Sequence, residues 1–315
     1  MNNKPVLLVG AGPMAVEYAK VLMALNVEII VVGRGQKSAN EFRNKTGISA
    51  VTGGLEQWLL ANQTMPDNAI VAVGEEAIGS VARSLVLKGC KYILVEKPGG
   101  KDVADILAVQ EAAKKHNSSV YVAYNRRFYS AVLAAKKIIE ADGGVVSFNF
   151  EFTEWSHIVK DLQKAEGVKK NWFLHNSTHV IDLAFYLGGW PQKFSCYTSG
   201  SADWHPPGMA FAGAGVTVRG ALFSYQANWE APGRWGVEIL TRNNRLIFRP
   251  LEKLLVQKIG SVAIEEWPLD NKFDLDFKAG LYLQVRDFLS GNNDVLCGLD
   301  EQCNNLSVYK RIGNY

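Results

Sequence analysis

The stretch Pro5-Val-Leu-Leu-Val9-Gly10-Ala-Gly12-Pro13-Met14-Ala15-Val-Glu-Tyr-Ala-Lys-Val-Leu-Met-Ala-Leu25 decides the fold. A short apolar run reads as a strand, and the segment after the glycines has helical spacing of its apolar residues. Strand, G-x-G-x-x-A and helix in this order form the dinucleotide-binding fingerprint in the context it requires. Gly10 makes the tight turn, Gly12 lets the backbone approach a pyrophosphate, and Ala15 permits close helix–strand packing. Pro13 and Met14 open the helix, whose first N–H groups and positive dipole end suit phosphate. The plain alternative is a glycine-rich turn without a ligand, and the flanking strand and helix argue against it.

Outward from this stretch, strands and helices alternate. The second strand, 27–32, ends in Gly33-Arg34-Gly35-Gln-Lys37-Ser38. A site for NAD carries an acid for the ribose 2′-hydroxyl about 20 residues after the glycines. Here Gly33 stands in that place, followed by Arg34, Lys37 and Ser38. An acid repels a 2′-phosphate, whereas an arginine and a hydroxyl bind it. NADP is therefore the expected cofactor, with NAD as the alternative. The competing reading makes Arg34 and Lys37 solvated loop residues. Helices are expected over 39–45, 55–62, 78–88 and 103–116, and strands over 48–51, 69–73 and 120–124. The 69–73 strand runs into Gly74-Glu75-Glu76. Such alternation gives right-handed crossovers and a parallel sheet. Residues 1–122 read as a doubly wound nucleotide-binding domain.

Within that domain, Tyr92-Ile-Leu-Val-Glu96-Lys97-Pro98-Gly99-Gly100 is a buried strand that ends in an acid, a lysine and a proline. Ligands of open α/β sheets bind beyond the carboxyl ends of the strands, so Lys97 is expected at the mouth of a cleft. Pro98 stops the ladder and stiffens the peptide after the lysine, and a Lys-Pro bond can be cis at modest cost. A surface lysine at an ordinary strand end is the other reading.

Residues 123–315 read as a second domain. Asn125-Arg126-Arg127-Phe128-Tyr129 follows the 120–124 strand and precedes a helix over 131–141. Its arginines suit an anionic or hydroxyl-rich ligand, or carboxylates that lock the two domains together; a structural role is expected for at least one. The segment 171–188 reads as one helix closed by Gly188, with Ser177 or Thr178 as cap. On a helix His179 and Asp182 share a face, with His175 one turn earlier. These polar groups on an apolar helix suggest a site; a buried histidine satisfied by the aspartate is the commoner alternative. After residue 190, period-2 alternation appears in seven runs: 193–197, 209–218, 221–229, 236–241, 245–249, 254–258 and 263–267. With 145–154 they make a large, mainly antiparallel open sheet. Helices near 274–289 and 300–309 close the chain. An open sheet needs its second face covered, so self-association as a homodimer or homotetramer is expected. Trp155, Trp172, Trp204, Trp229 and Trp235 are candidates for stacking on a sugar ring, although most Trp residues serve a core.

The chain's 315 residues, 48% of them hydrophobic, suit about two domains. A net charge of only +3, with dispersed basic residues, argues against nucleic acid or a membrane surface as partner. No apolar run has the length of a membrane span. Cys90, Cys196, Cys297 and Cys303 lack C-x-x-C or Cys/His spacing. They read as reduced thiols of a cytoplasmic protein, with no metal site expected.

Gly10-Ala-Gly-Pro-Met-Ala15, Glu96-Lys-Pro98, Asn125-Arg-Arg-Phe128 and His179-Val-Ile-Asp182 occur in this order and together resemble the glucose–fructose oxidoreductase/inositol dehydrogenase (Gfo/Idh/MocA) family. The resemblance covers nearly the whole chain. It implies a Rossmann domain, an α/β domain with a large open sheet, and hydride transfer between NAD(P) and sugars, inositols, sugar acids or nucleotide sugars. It makes Lys97 the residue that contacts the reacting hydroxyl and helps move its proton, with Glu96 behind it. It makes His179 the histidine that binds or protonates substrate; from its place one turn before His179, His175 is expected to orient that ring or the substrate. Many members carry an aspartate where this chain has His175, and a Thr-Pro where it has Gly74-Glu75. The cofactor set is then Gly10, Gly12, Pro13, Met14, Ala15, Gly33, Arg34, Lys37, Ser38, Gly74, Glu96 and Lys97. Lys97, Asn125, Arg126, His175 and His179 are expected to meet a sugar-like substrate. The rival class is a non-catalytic dinucleotide-binding sensor on the same fold.

Overall fold

A computed structural model describes residues 4–315 of the chain. The first elements are β1 (Val6–Val9), α1 (Pro13–Ala24), β2 (Ile29–Val32), α2 (Gln36–Thr46), α3 (Gly54–Ala61), β3 (Asn68–Val71), α4 (Ile78–Leu87), β4 (Tyr92–Val95), α5 (Val103–His116) and β5 (Ser119–Val122). A 3₁₀ turn (Asn125–Phe128) leads to α6 (Ser130–Ala141), β6 (Ser147–Glu151), α7 (Ser156–Val159), a π-helix (Phe173–Ser177) and α8 (Thr178–Gly188). Six strands come next: β7 (Pro191–Ser199), β8 (Ala210–Thr217), β9 (Leu222–Asn228), β10 (Gly236–Leu240), β11 (Asn244–Phe248) and β12 (Leu255–Lys258). After them come β13 (Glu265–Glu266), α9 (Lys272–Asp276), α10 (Leu281–Ser290), β14 (Cys297–Gly298) and α11 (Leu299–Gly313). The chain divides into two compact units, Met1–Asn125 with Phe273–Asn304 and Arg126–Lys272 with Asn305–Tyr315.

In the first unit the sheet order is β14-β5-β4-β3-β1-β2, parallel except for the antiparallel β14. The strands are continuous apolar runs because both faces are covered. Residues 6–9 are each at most 3% exposed, and burying each such side chain contributes about 1.5–3 kcal/mol. Helix α5 keeps the expected bounds because its ends are written into the sequence. Asp102 accepts from the Asp105 N–H at the start, and Lys114, Lys115 and His116 occupy the last turn. The expected 48–51 strand is reduced to one bridge, Val51 to Val32. Residues 273–304, expected in the second domain, cluster with this unit. Helix α10 packs on α1, and β14 pairs with β5.

The second unit holds an eight-stranded sheet ordered β13-β12-β11-β10-β6-β9-β8-β7. It is antiparallel except where β6 runs parallel to β9. Helix α8 covers one face, with Phe185 edge-on to Phe148, Phe150 and Phe223. The other face exposes Tyr197 and Leu222. The expected 263–267 strand shrinks to Glu265–Glu266, preceded by exposed Val262 and Ile264. The single helix expected over 171–188 is instead a π-helix followed by α8, and Ser177 and Thr178 do not cap it. Both have helical dihedrals. The Ser177 hydroxyl donates to Glu154 and the Thr178 hydroxyl to the Leu174 carbonyl. Among the described residues, no helix is long and apolar enough to cross a membrane.

His205 is fully buried in this unit, against Trp229 at 4.5 Å between ring centroids. Its Nδ1 lies 2.7 Å from the Gly208 carbonyl, and its Nε2 lies 2.6 Å from the Tyr315 hydroxyl. Burial pushes its pKa down from 6.5 to about 4. As pH falls, the unfolded chain takes up this proton before the folded one. The associated stability is complete above pH 6.5 and is lost as pH falls to about 4. Urea midpoints are expected to drop across this window, less steeply in a His205→Gln variant; parallel pH profiles for the two proteins would contradict the assignment.

Candidate active site

The first unit builds a cradle at the carboxyl ends of β1, β2 and β3. Gly10 has a φ of +125°, and a Cβ there would stand 2.1 Å from the Ala72 carbonyl oxygen. Only glycine fits this close approach. A Cβ on Gly12, by contrast, would meet nothing within 4 Å, so the backbone is open on that side. Gly12 is the N-cap of α1, Pro13 follows at its start, and no side chain caps the helix. Bare N–H groups at a helix start, open to an approaching group, fit a pyrophosphate.

Beyond β2, Gly33 lies against Ala11, where a Cβ would be 3.0 Å from the alanine Cβ. Arg34 is 75% exposed and sits 3.4 Å from Glu76 Oε1. Lys37 is exposed, and the Ser38 hydroxyl donates to the Gly35 carbonyl. A Cβ on Gly74 would collide with the Glu76 carboxylate. The structure thus adds Glu76, which sequence reasoning did not single out, as the counter-charge of Arg34.

Lys97 follows β4, and the Lys97-Pro98 peptide is cis. The Glu96 N–H bonds to the Val71 carbonyl, and the Gly99 N–H bonds back to the Glu96 carbonyl. Two further groups hold this corner. The Tyr18 hydroxyl donates to Glu96 Oε1 at 2.7 Å, and the Gln302 amide donates to the Pro98 carbonyl at 2.9 Å. Burial, then the Glu96 carboxylate, raises the Tyr18 pKa well above 10.0, so its phenol stays a donor. Neither Tyr18 nor Gln302 was expected. The only hint in the sequence is a polar tip on an otherwise apolar helix face. The Asn125 amide donates to the Ala279 carbonyl, within the same unit.

The second unit gathers a separate constellation. Arg127 and Asp182, 4% and 1% exposed, form an ion pair. Arg127 Nε and Nη2 reach the two Asp182 oxygens at 2.8 and 2.5 Å. The pair lies inside one unit and gives Arg127 the structural role expected for one of the two arginines. It also takes both carboxylate oxygens of the residue expected to share a face with His179. His175 and His179 are 2% and 7% exposed. His175 sits in the π-helix, an irregularity frequent at functional sites. Glu154, 1% exposed, sets this segment. Its oxygens accept from the Asn176 amide at 3.0 and 2.9 Å and from the Ser177 hydroxyl at 2.9 Å. Burial raises its pKa, while Ser177, Arg234 and Asn176 oppose the shift. Trp235 stands 6.1 Å from the His179 ring. Half-buried Trp204 stacks on Trp229, a core residue, in the His205 cluster.

Comparison with known proteins bears on this geometry. The sequence model of an oxidoreductase family with an NAD-binding Rossmann fold, Gfo/Idh/MocA, matches residues 4–124. Levoglucosan dehydrogenase of Pseudarthrobacter phenanthrenivorans is 31% identical over 129 residues, which cover 37% of this chain and 31% of that protein. The chain therefore matches less than half the length of this curated relative. Among solved structures, UDP-N-acetylglucosamine 3-dehydrogenase GnnA from Acidithiobacillus ferrooxidans superposes with a TM-score of 0.76 at 15% identity, over 99% of this chain and 97% of that one. A levoglucosan dehydrogenase in complex with NADH gives a TM-score of 0.76 at 18% identity, over 99% and 96%. At these identities the likeness carries the fold alone, and it does so over both units. Residues 4–124, with Gly10, Gly12 and Ala15 in the required strand–turn–helix geometry, match the Gfo/Idh/MocA oxidoreductase family in its NAD-binding Rossmann fold.

Proposed function

We propose that the protein is an NADP-dependent oxidoreductase that transfers a hydride between the nicotinamide and a carbinol or carbonyl carbon of a sugar, sugar derivative or nucleotide sugar. The observation that carries this reading is Lys97. It stands at the carboxyl end of a buried parallel strand, next to a carboxylate that Tyr18 of the cofactor-binding helix holds. The fold, the family match and the sugar dehydrogenases among the relatives support it. A cytoplasmic location and self-association through the exposed face around Tyr197 and Leu222 belong to the same reading.

The backbone of Gly10–Ala15 would hold the pyrophosphate, and Arg34, Lys37 and Ser38 the 2′-phosphate. Gly74, Glu96 and Lys97 would line the rest of the cofactor site. The nicotinamide supplies the hydride chemistry when bound. The chain's own task is position and proton handling. In the oxidative direction Lys97 takes the hydroxyl proton, with Glu96 oriented by Tyr18 behind it. Asn125, Arg126, His175 and His179 belong to substrate recognition, with His179 as the second proton-handling group.

The test is NADP⁺ reduction over a panel of sugars, sugar acids and nucleotide sugars. Lys97→Met is expected to lower kcat by about 100-fold or more while NADPH still binds; unchanged turnover would remove Lys97 from the reaction. Arg34→Ala is expected to weaken NADPH by about tenfold and NADH little. Glu76→Gln, which removes a like charge from beside the 2′-phosphate, is expected to tighten NADPH. Equal effects of Arg34→Ala on both cofactors would remove the basis for NADP.

A further inference from the structure

The second unit brings a thiol and a phenol together on one row of its sheet. Cys196 of β7 pairs with Gly213 of β8, and Gly213 pairs with Tyr225 of β9. A Cβ on Gly213 would stand 2.4 Å from both Cζ and the hydroxyl oxygen of Tyr225. The tyrosine ring therefore lies across β8, in the space that the glycine leaves, and its hydroxyl meets the Cys196 thiol. Tyr225 is 4% exposed, and its hydroxyl makes no hydrogen bond of proper geometry among the described residues. Burial, then the Cys196 thiol, raises its pKa well above 10.0, so the phenol keeps its proton and remains a donor.

Strand β7 is an edge of the sheet, and Cys196 is half-buried on it. Two residues earlier, and so on the same face, Phe194 lies under Arg311, whose Cζ is 3.8 Å from the ring centroid. Arg311 Nη2 donates to the Phe194 carbonyl at 2.8 Å, and its charge reaches the Tyr225 hydroxyl. The thiolate is the reactive form of cysteine, and partial exposure, a nearby cation and a hydrogen-bond donor all favour its reactions. The other three thiols are placed differently. Cys90 and Cys297 are buried. Burial pushes the Cys90 thiol up to about 12. Burial, then Asp300, pushes the half-buried Cys303 thiol up to about 11. Little thiolate exists at neutral pH with such values.

We infer that Cys196 is a site of oxidation by a hydroperoxide, with Tyr225 as the group that holds the oxidised sulfur. The thiol proton passes to water, and the sulfur attacks one peroxide oxygen. The S–O bond forms, the O–O bond breaks, and the departing hydroxide takes up a proton and leaves as water. The sulfur loses two electrons, the peroxide gains them, and the product is a sulfenic acid. The Tyr225 hydroxyl donates first to the thiolate and then to the new oxygen. This site uses none of the residues assigned to the dinucleotide or to the substrate, and it stands whether or not the chain oxidises sugars.

The experiment exposes the full, reduced chain to hydrogen peroxide in the presence of dimedone, which traps sulfenic acids, and maps the adducts by peptide mass spectrometry. Cys196 is expected to carry about tenfold more adduct than any of Cys90, Cys297 and Cys303. Tyr225→Phe keeps the ring over Gly213 and removes the donor. It is expected to slow adduct formation at Cys196 by about tenfold. No adduct at Cys196, adduct spread evenly over the thiols, labelling led by Cys303, or an unchanged rate in Tyr225→Phe would overturn the inference. The ranking of the thiols is read in the unsubstituted chain, so it decides the matter even if Tyr225→Phe fails to fold.

Discussion

The architecture of the first unit depends on one close approach. Gly10 turns with a positive φ directly under the Ala72 carbonyl, at a separation that leaves no room for a Cβ. The same turn bonds the Gly10 N–H to Val32, and the Ala72 N–H to Val9. Three strand ends are thereby pinned together at one point, and α1 must start there. The helix then carries Tyr18 across to Glu96, the residue before Lys97. A single steric constraint thus sets both the open, uncapped start of α1 and the groups around the candidate proton carrier. Any side chain at position 10 would move all of them together.

The second unit is organised by buried charge. Arg127 and Asp182 are almost completely removed from water, and removing one partner of such a pair costs about 3–5 kcal/mol because the other charge stays buried. Glu154 plays the corresponding part for the π-helix, taking hydrogen bonds from the two residues that follow His175. Both carboxylates orient backbone around histidines, and neither serves as a cap or a surface pair. Ion pairs of this kind define geometry more than they add stability.

The fold was legible where the sequence carried local signals. The fingerprint after β1, the apolar parallel strands and the capped ends of α5 all follow from neighbouring residues. So did the mainly antiparallel sheet, because period-2 alternation survives strand by strand. What the sequence hid was non-local. Tyr18 and Glu96 are 78 positions apart, and Arg34 and Glu76 are 42 apart, so neither pair leaves a pattern in any window. The π-helix escaped because helical periodicity assumes a constant turn, and Ser177 and Thr178, which look like caps, spend their hydroxyls on Glu154 and Leu174. The return of residues 273–304 to the first unit was equally invisible, since β14 has two residues and no periodicity.

The account stands on dinucleotide binding at the Gly10–Ala15 turn. The most direct measurement is a fluorescence titration of the purified chain with NADPH and with NADH. Saturable enhancement with both, tighter for NADPH, is the expected result. Absence of binding to either, in protein that carries no co-purified dinucleotide, would contradict the account and make the fold a scaffold for some other activity.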